Sequence, residues 1–161
     1  MSMTGRYVRL SAEQLKDVIS ESIDVAEIVW PEEEIKPTGL LDIDKTWHVI
    51  HFLLTGEAWG GELPLANAVL GGTELPETDA GYGPFRYLAP HEVQATSKAL
   101  AEISPSDLWA RFDAQAAEAA EIYGWEGDET QCEYISENYR ALQKYFSQAA
   151  DAGEATLLYL S

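Results

Sequence analysis

The two ends of the chain carry patterns typical of β-strands. Residues 6–10 alternate along the chain, with Tyr7 and Arg9 on the expected outer face, which predicts a half-exposed strand. The closing run 156–160 is apolar on both faces, which predicts a strand in the middle of a sheet. Both termini are therefore expected in one sheet.

Between these strands, apolar residues recur at helical spacing. Ser11 and Gln14 form a capping pattern at the first helix, Pro90 suits the first turn of another, and Ser106 is expected to cap a third. The predicted helices are 11–19, 44–55, 90–103, 106–112, 113–123 and 128–152. A short apolar piece lies at 25–30, and a loop-rich region 56–84 leads into a short strand at 85–88. The order predicts one helix-rich α+β domain over residues 1–161, packed on a small mixed sheet that includes both terminal strands.

The charge of the chain excludes two kinds of partner. It has 28 Asp plus Glu against 10 Lys plus Arg, a formal net charge of −18. Nucleic acids and anionic membranes need a basic protein surface, so neither is expected to bind. The excess acids concentrate in residues 31–64 and 113–161, which include acidic loops at 31–37 and 126–129. If these segments share a face, that face would attract a basic protein partner.

Further features indicate where the protein works. No apolar run reaches the roughly 20 residues of a membrane-spanning helix, and the first residues have no apolar stretch of a secretory signal. The lone Cys132 has no partner for an internal disulfide, which fits a reducing compartment. We therefore expect a cytoplasmic protein that is a monomer or weak homodimer.

Three internal stretches of the chain form a distinctive combination. They read DKTWHVIHFLLTG at 44–56, LGGT at 70–73 and GYGPFRYL at 81–88. With YVRL at 7–10 and LYL at 158–160, they resemble the YfbM-like family, a bacterial domain of unknown function. The resemblance covers essentially the whole chain and implies a compact α+β domain. It implies no activity, no cofactor and no catalytic residue.

The predicted helix 44–55 is apolar except for one narrow polar seam. Asp44, His48 and His51 lie at i, i+4 and i+7, beside Trp47, and could together bind a substrate or move a proton. The spacing is not that of a His-Glu-x-x-His zinc site, and no metal is predicted. Two other interpretations are open: a strip that faces solvent, or core histidines that are hydrogen-bonded within the fold.

A glycine loop is the second candidate site. Gly81, Tyr82 and Gly83 could offer backbone N–H groups to an anion whose charge Arg86 neutralises. The loop lacks the lysine of a P-loop and the third glycine of a dinucleotide-binding motif. The alternative is a plain turn into a strand, with Arg86 paired to one of the many carboxylates.

No motif assigns a reaction, and two functional classes remain open. The first is a non-enzymatic acidic module that binds a basic protein, which the net charge and the loop tryptophans Trp59 and Trp125 favour. The second is a small-molecule-binding or hydrolase-like protein in which the seam faces Arg86 across a pocket. We favour the first because the charge follows from composition alone, whereas the pocket depends on the fold.

Overall fold

A computed structural model describes residues 2–32, 39–125 and 129–161. The acidic loops predicted at 31–37 and 126–129 fall largely outside these ranges. Within them the strands are β1 (Gly5–Leu10), β2 (Leu40–Asp42), β3 (Thr73–Glu74), β4 (Arg86–Leu88) and β5 (Ala155–Leu160). The helices are α1 (Ala12–Ile19), α2 (Val25–Val29), α3 (Trp47–Thr55), α4 (Pro90–Ala101), α5 (Pro105–Ala110), α6 (Ala114–Ala119) and α7 (Cys132–Asp151). The predicted α+β class is confirmed.

The five strands form one sheet in the order β2-β1-β5-β4-β3. The two terminal strands lie side by side, with Tyr7 opposite Leu158 in the register. Every neighbouring pair is antiparallel, so the sheet is antiparallel throughout rather than mixed. Two paired strands run antiparallel because the chain that leaves one strand enters the other at the same end of the sheet.

Both faces of the central strands are buried. Tyr7 and Leu158 face a larger core, built mainly with α3, α4, α5 and α7, whereas Val8 and Leu157 face a smaller one with α1 and α2. The prediction of a half-exposed β1 is therefore wrong, since Tyr7 is 1% exposed. A tyrosine can enter a core when its hydroxyl finds a partner, and here that hydroxyl donates to the Ala68 carbonyl at 2.6 Å.

Local capping sets several helix ends. Ser11 and Gln14 form the predicted capping box at α1. The cap of α5 is Ser104 rather than Ser106, because Pro105 occupies the first turn and the Ser104 hydroxyl accepts from the Asp107 N–H. In the ranges that the structure describes, no helix combines the length and the apolar character needed to cross a membrane.

Candidate functional site

Helix α3 carries the two histidines of the seam into the larger core. His48 is 2% exposed and His51 is fully buried. The seam therefore does not face solvent. Buried imidazoles need hydrogen-bond partners, and their partners decide what chemistry they can perform.

His48 has a partner at each ring nitrogen. Its Nδ1 accepts from the Tyr123 N–H at 2.8 Å, so the proton lies on Nε2, which donates to the Ala58 carbonyl at 2.9 Å. The ring stacks on Trp47, with centroids 4.8 Å apart. Burial lowers the pKa of His48, against the opposing effect of the bond to Ala58. The ring is neutral and keeps no lone pair for a substrate proton or a metal.

His51 has a partner at one nitrogen. Because a carbonyl only accepts, Nε2 carries the proton and donates to Gly60 at 2.8 Å. Its Nδ1 is buried and finds no partner in the described part of the chain. Burial lowers the pKa of His51 to about 4, with smaller contributions from His48 and Arg86 and an opposing one from the Gly60 bond. This ring is also neutral at pH 7.

The two histidines hold the loop that follows α3. The chain turns back so that the Ala58 and Gly60 carbonyls meet the His48 and His51 rings. The Thr55 hydroxyl donates to the His51 carbonyl at 2.9 Å, which adds a bond at the end of the helix. We call residues 57–63 the clamped loop. The interpretation of the seam as hydrogen-bonded core histidines describes this arrangement.

Asp44 is not hydrogen-bonded to the histidines. It has φ +52°, which takes it out of the helical register, and its Oδ2 accepts from the Tyr134 hydroxyl at 2.6 Å. Trp47 is buried, and its indole N–H donates to the Met3 carbonyl at 3.0 Å. An ideal helix over residues 44–55 would place Asp44 on one seam with the two histidines. In the structure the Asp44 carboxylate bonds to Tyr134 on α7 instead.

The glycine loop bonds two of its backbone donors, at Gly81 and Tyr82, within the fold. The Gly81 N–H donates to Asp79 Oδ1 at 2.8 Å, and the Tyr82 N–H donates to the Leu160 carbonyl at 3.3 Å. Gly81 and Gly83 both have positive φ, which a turn of this shape needs. These bonds support a plain turn rather than an anion cradle.

Arg86 binds backbone carbonyls, and no carboxylate in the described ranges forms an ion pair with it. Its Nη1 donates to Val69 at 3.1 Å and to Gly71 at 2.8 Å. Burial lowers the pKa of Arg86, while Tyr7 and Glu74 act in the opposite direction. Among the candidate residues, it comes near enough to His51 to influence that residue's pKa. Its visible role is to secure the turn before β3.

The outer surface of the clamped loop carries two strongly exposed apolar side chains. Trp59 is 63% exposed and Leu63 is 70% exposed. The Trp59 ring contacts His48, with centroids 4.7 Å apart, and its remaining surface faces water. Glu57 and Glu62 lie exposed in the same loop. Sequence reasoning identified Trp59 but missed Leu63, although its place after Gly60-Gly61 in the loop-rich region was a signal.

The fold is that of a protein class without an assigned activity. The family model described as Domain of unknown function (DUF1877) matches residues 1–159, and the chain belongs to that family. A similar solved structure is the crystal structure of a protein of unknown function, YfbM, from Escherichia coli. The match has a TM-score of 0.74 and 21% sequence identity, and covers 98% of this chain and 99% of that chain. The expected YfbM-like resemblance is confirmed. No curated protein matches the chain.

Proposed function

We propose that the protein is a non-enzymatic, acidic interaction module that binds a basic protein through the clamped loop. The observation that carries the proposal is the 63% exposure of Trp59 in a loop whose carbonyls are bonded to two buried histidines. An exposed indole forgoes the free energy of burial. Tryptophan is also among the residues that contribute most to protein interfaces.

The hydrogen bonds of the loop support this role. A loop that is ordered before binding loses less conformational entropy when its partner arrives. His48 and His51 provide that order from inside the core, and the Trp59 ring rests on His48. The apolar surface of Trp59 and Leu63 is thereby held ready for contact.

The charge of the chain supports a basic partner. With 28 acids and 10 bases, most carboxylates have no basic residue to pair with. In the described residues, two ion pairs form, Arg6–Asp42 and Arg9–Glu154. Glu57 and Glu62 stay unpaired there and flank the apolar patch. A basic surface would be steered toward the loop and contact both carboxylates at its rim.

The small-molecule-binding or hydrolase-like alternative would need Asp44, His48, His51 and Arg86 to face a ligand. Both nitrogens of His48 are occupied within the fold, and Asp44 and Arg86 bond to other elements. No observation favours this function over the interaction module.

The proposal extends to the cellular setting. Cys132 is a free thiol, which suits the reducing cytoplasm. We place the protein there as a monomer or weak homodimer until its partner binds. The negative charge makes nucleic acids and anionic membranes poor partners.

Affinity capture from lysate of the source cell, followed by binding of the purified partner, tests the proposal. Wild type should bind a basic protein, and binding should weaken as salt rises. The double variant Trp59→Ala with Leu63→Ala should weaken binding about tenfold or more. Tyr82→Ala, which removes an exposed aromatic elsewhere, is the control and should bind as wild type does.

Two results would contradict the proposal. One is that no purified basic protein binds wild type. The other is equal loss of affinity in the loop variant and in Tyr82→Ala, since this would make the loop irrelevant. Circular dichroism of each variant establishes that the fold is retained.

A further inference from the structure

A cleft of about 330 Å³ lies between the end of α1, the turn into α2 and the turn after β3. Val18, Val25 and Leu75 form its buried walls, each 5% exposed. Ile19 lies at its edge and is 48% exposed. The volume is within the range of small-molecule sites, roughly 300–1,000 Å³. The cleft belongs to the smaller core, on the opposite face of the sheet from the histidines.

Carboxylates line the mouth of the cleft. Glu21, Asp24 and Glu77 are exposed there, and none of the lining residues is basic. Asp24 also caps α2 by accepting from the Ala26 N–H at 2.9 Å. Glu21 and Glu77 take part in no ion pair with any residue that the structure describes. An apolar pocket with free negative charge at its mouth complements a cation that carries an apolar chain.

The arrangement of the acids restricts the chemical class of the ligand further. Across the described residues, no three acidic, histidine or cysteine side chains converge as ligands for one metal ion. Glu21, Asp24 and Glu77 therefore do not form a ligand set for one compact metal ion. Separate positive groups joined by methylenes can meet separate carboxylates while the methylenes contact Val18, Val25 and Leu75.

We infer that this cleft binds an aliphatic diamine or polyamine. Its ammonium groups pair with Glu21 and Glu77, and its methylene chain lies on the apolar walls. The net charge of −18 raises the local concentration of such cations around the protein. The site is separate from the clamped loop, so its test is independent of the proposed protein partner.

Titration of the full chain with spermidine tests the inference, by calorimetry and by ¹H–¹⁵N NMR. Binding should saturate at one spermidine per chain, with chemical-shift changes concentrated at residues 18–25 and 75–78. Hexane-1,6-diol, which has a chain without charge, and MgCl₂, which has charge without a chain, should not reproduce those changes. Glu21→Gln and Glu77→Gln should each weaken binding about threefold, as expected for the loss of one exposed ion pair.

Matched controls separate the cleft from the general acidic surface. Glu118→Gln and Glu137→Gln remove exposed acids on α6 and α7 and should leave the affinity unchanged. Ile19→Ser keeps the charges but removes apolar surface at the edge of the cleft, and should weaken the binding of spermidine. Absence of saturable binding, shifts scattered over the acidic surface, or equal effects of the cleft and control variants would each overturn the inference.

Discussion

The backbone N–H of Tyr123 donates a hydrogen bond of 2.8 Å to Nδ1 of His48. The bond joins α3 to a segment 75 positions further along the chain. It also leaves the ring proton on Nε2, from which the ring donates to Ala58 in the clamped loop. One neutral imidazole thus links three parts of the chain, and its tautomer follows from the partners on either side.

Variants of His48 should separate these two bonds. His48→Gln keeps a donor directed toward Ala58 and loses the acceptor for Tyr123, whereas His48→Asn does the reverse. Each should lower the free energy of unfolding by about 1–3 kcal/mol, because a buried polar group loses its partner. Urea denaturation measures the loss, and amide hydrogen exchange at Tyr123 should accelerate more in His48→Gln. Equal exchange at Tyr123 in both variants would contradict the assigned tautomer.

The buried ring of His51 should make stability depend on pH. Its pKa is about 4 in the fold, below the ordinary value of 6.5. Between these values the unfolded chain binds a proton that the folded chain excludes, so the free energy of unfolding decreases as pH falls through this range. The full loss of stability is about 3 kcal/mol, and well above pH 6.5 His51 causes no change of stability with pH.

Chemical denaturation at pH values from 4 to 7 measures this effect. His51→Gln retains a donor for Gly60 but does not titrate, so it should reduce the change of stability with pH and leave the contribution of His48, whose pKa burial also lowers. His91→Gln is the control because His91 is exposed on α4, and its pH profile should match wild type. If the stability of His51→Gln changed with pH in parallel with wild type, His51 would not be the group responsible.

The bond from Tyr134 to Asp44 should contribute measurably to stability. Burial, followed by the bond to Asp44, raises the pKa of Tyr134 to about 12. Tyr134→Phe should lower the free energy of unfolding by about 1 kcal/mol. Asp44→Gly suits the second position because glycine removes the acceptor and tolerates φ +52°. A double-mutant cycle of the two should give a coupling energy near that value, whereas additive effects would argue against the bond.

Gly71 should not accept a larger residue. A Cβ there would lie 2.7 Å from the Ala66 carbonyl oxygen and would also overlap Asn67. The backbone would have to shift at the turn held by Arg86, so Gly71→Ala should cost about 2–4 kcal/mol. Gly153→Ala is the matched comparison, with φ +67° but open space around it, and should cost about 1 kcal/mol. Thermal denaturation measures the loss of stability in both variants. Equal losses would contradict the close packing around Gly71.

Elements set by neighbouring residues were predictable. The capping box of Ser11 and Gln14, the first-turn position of Pro90 and the end of α3 at Gly56 all follow from contacts within a few residues. The predicted exposure of Tyr7 failed for the opposite reason. Its burial depends on helices from distant parts of the chain that cover the second face of the sheet.

In the candidate site, too, the local contacts were predictable and the long-range ones were not. The helical period placed His48 and His51 together, but the period cannot say whether they meet water, a ligand or another part of the chain. Their partners Ala58, Gly60 and Tyr123 come from a returning loop and a distant segment. In the structure the two histidines support the clamped loop from inside the core.

The amino-acid sequence by itself determined the net charge of −18, the class of fold, the family resemblance and most helix ends, because these depend on composition and short-range contacts. Only the tertiary structure decided which polar groups are satisfied inside the core and which apolar groups stay exposed. It also brought Glu21 and Glu77 to one cleft from separate segments of the chain. Such pairings arise from long-range packing, and no local period in the chain encodes them.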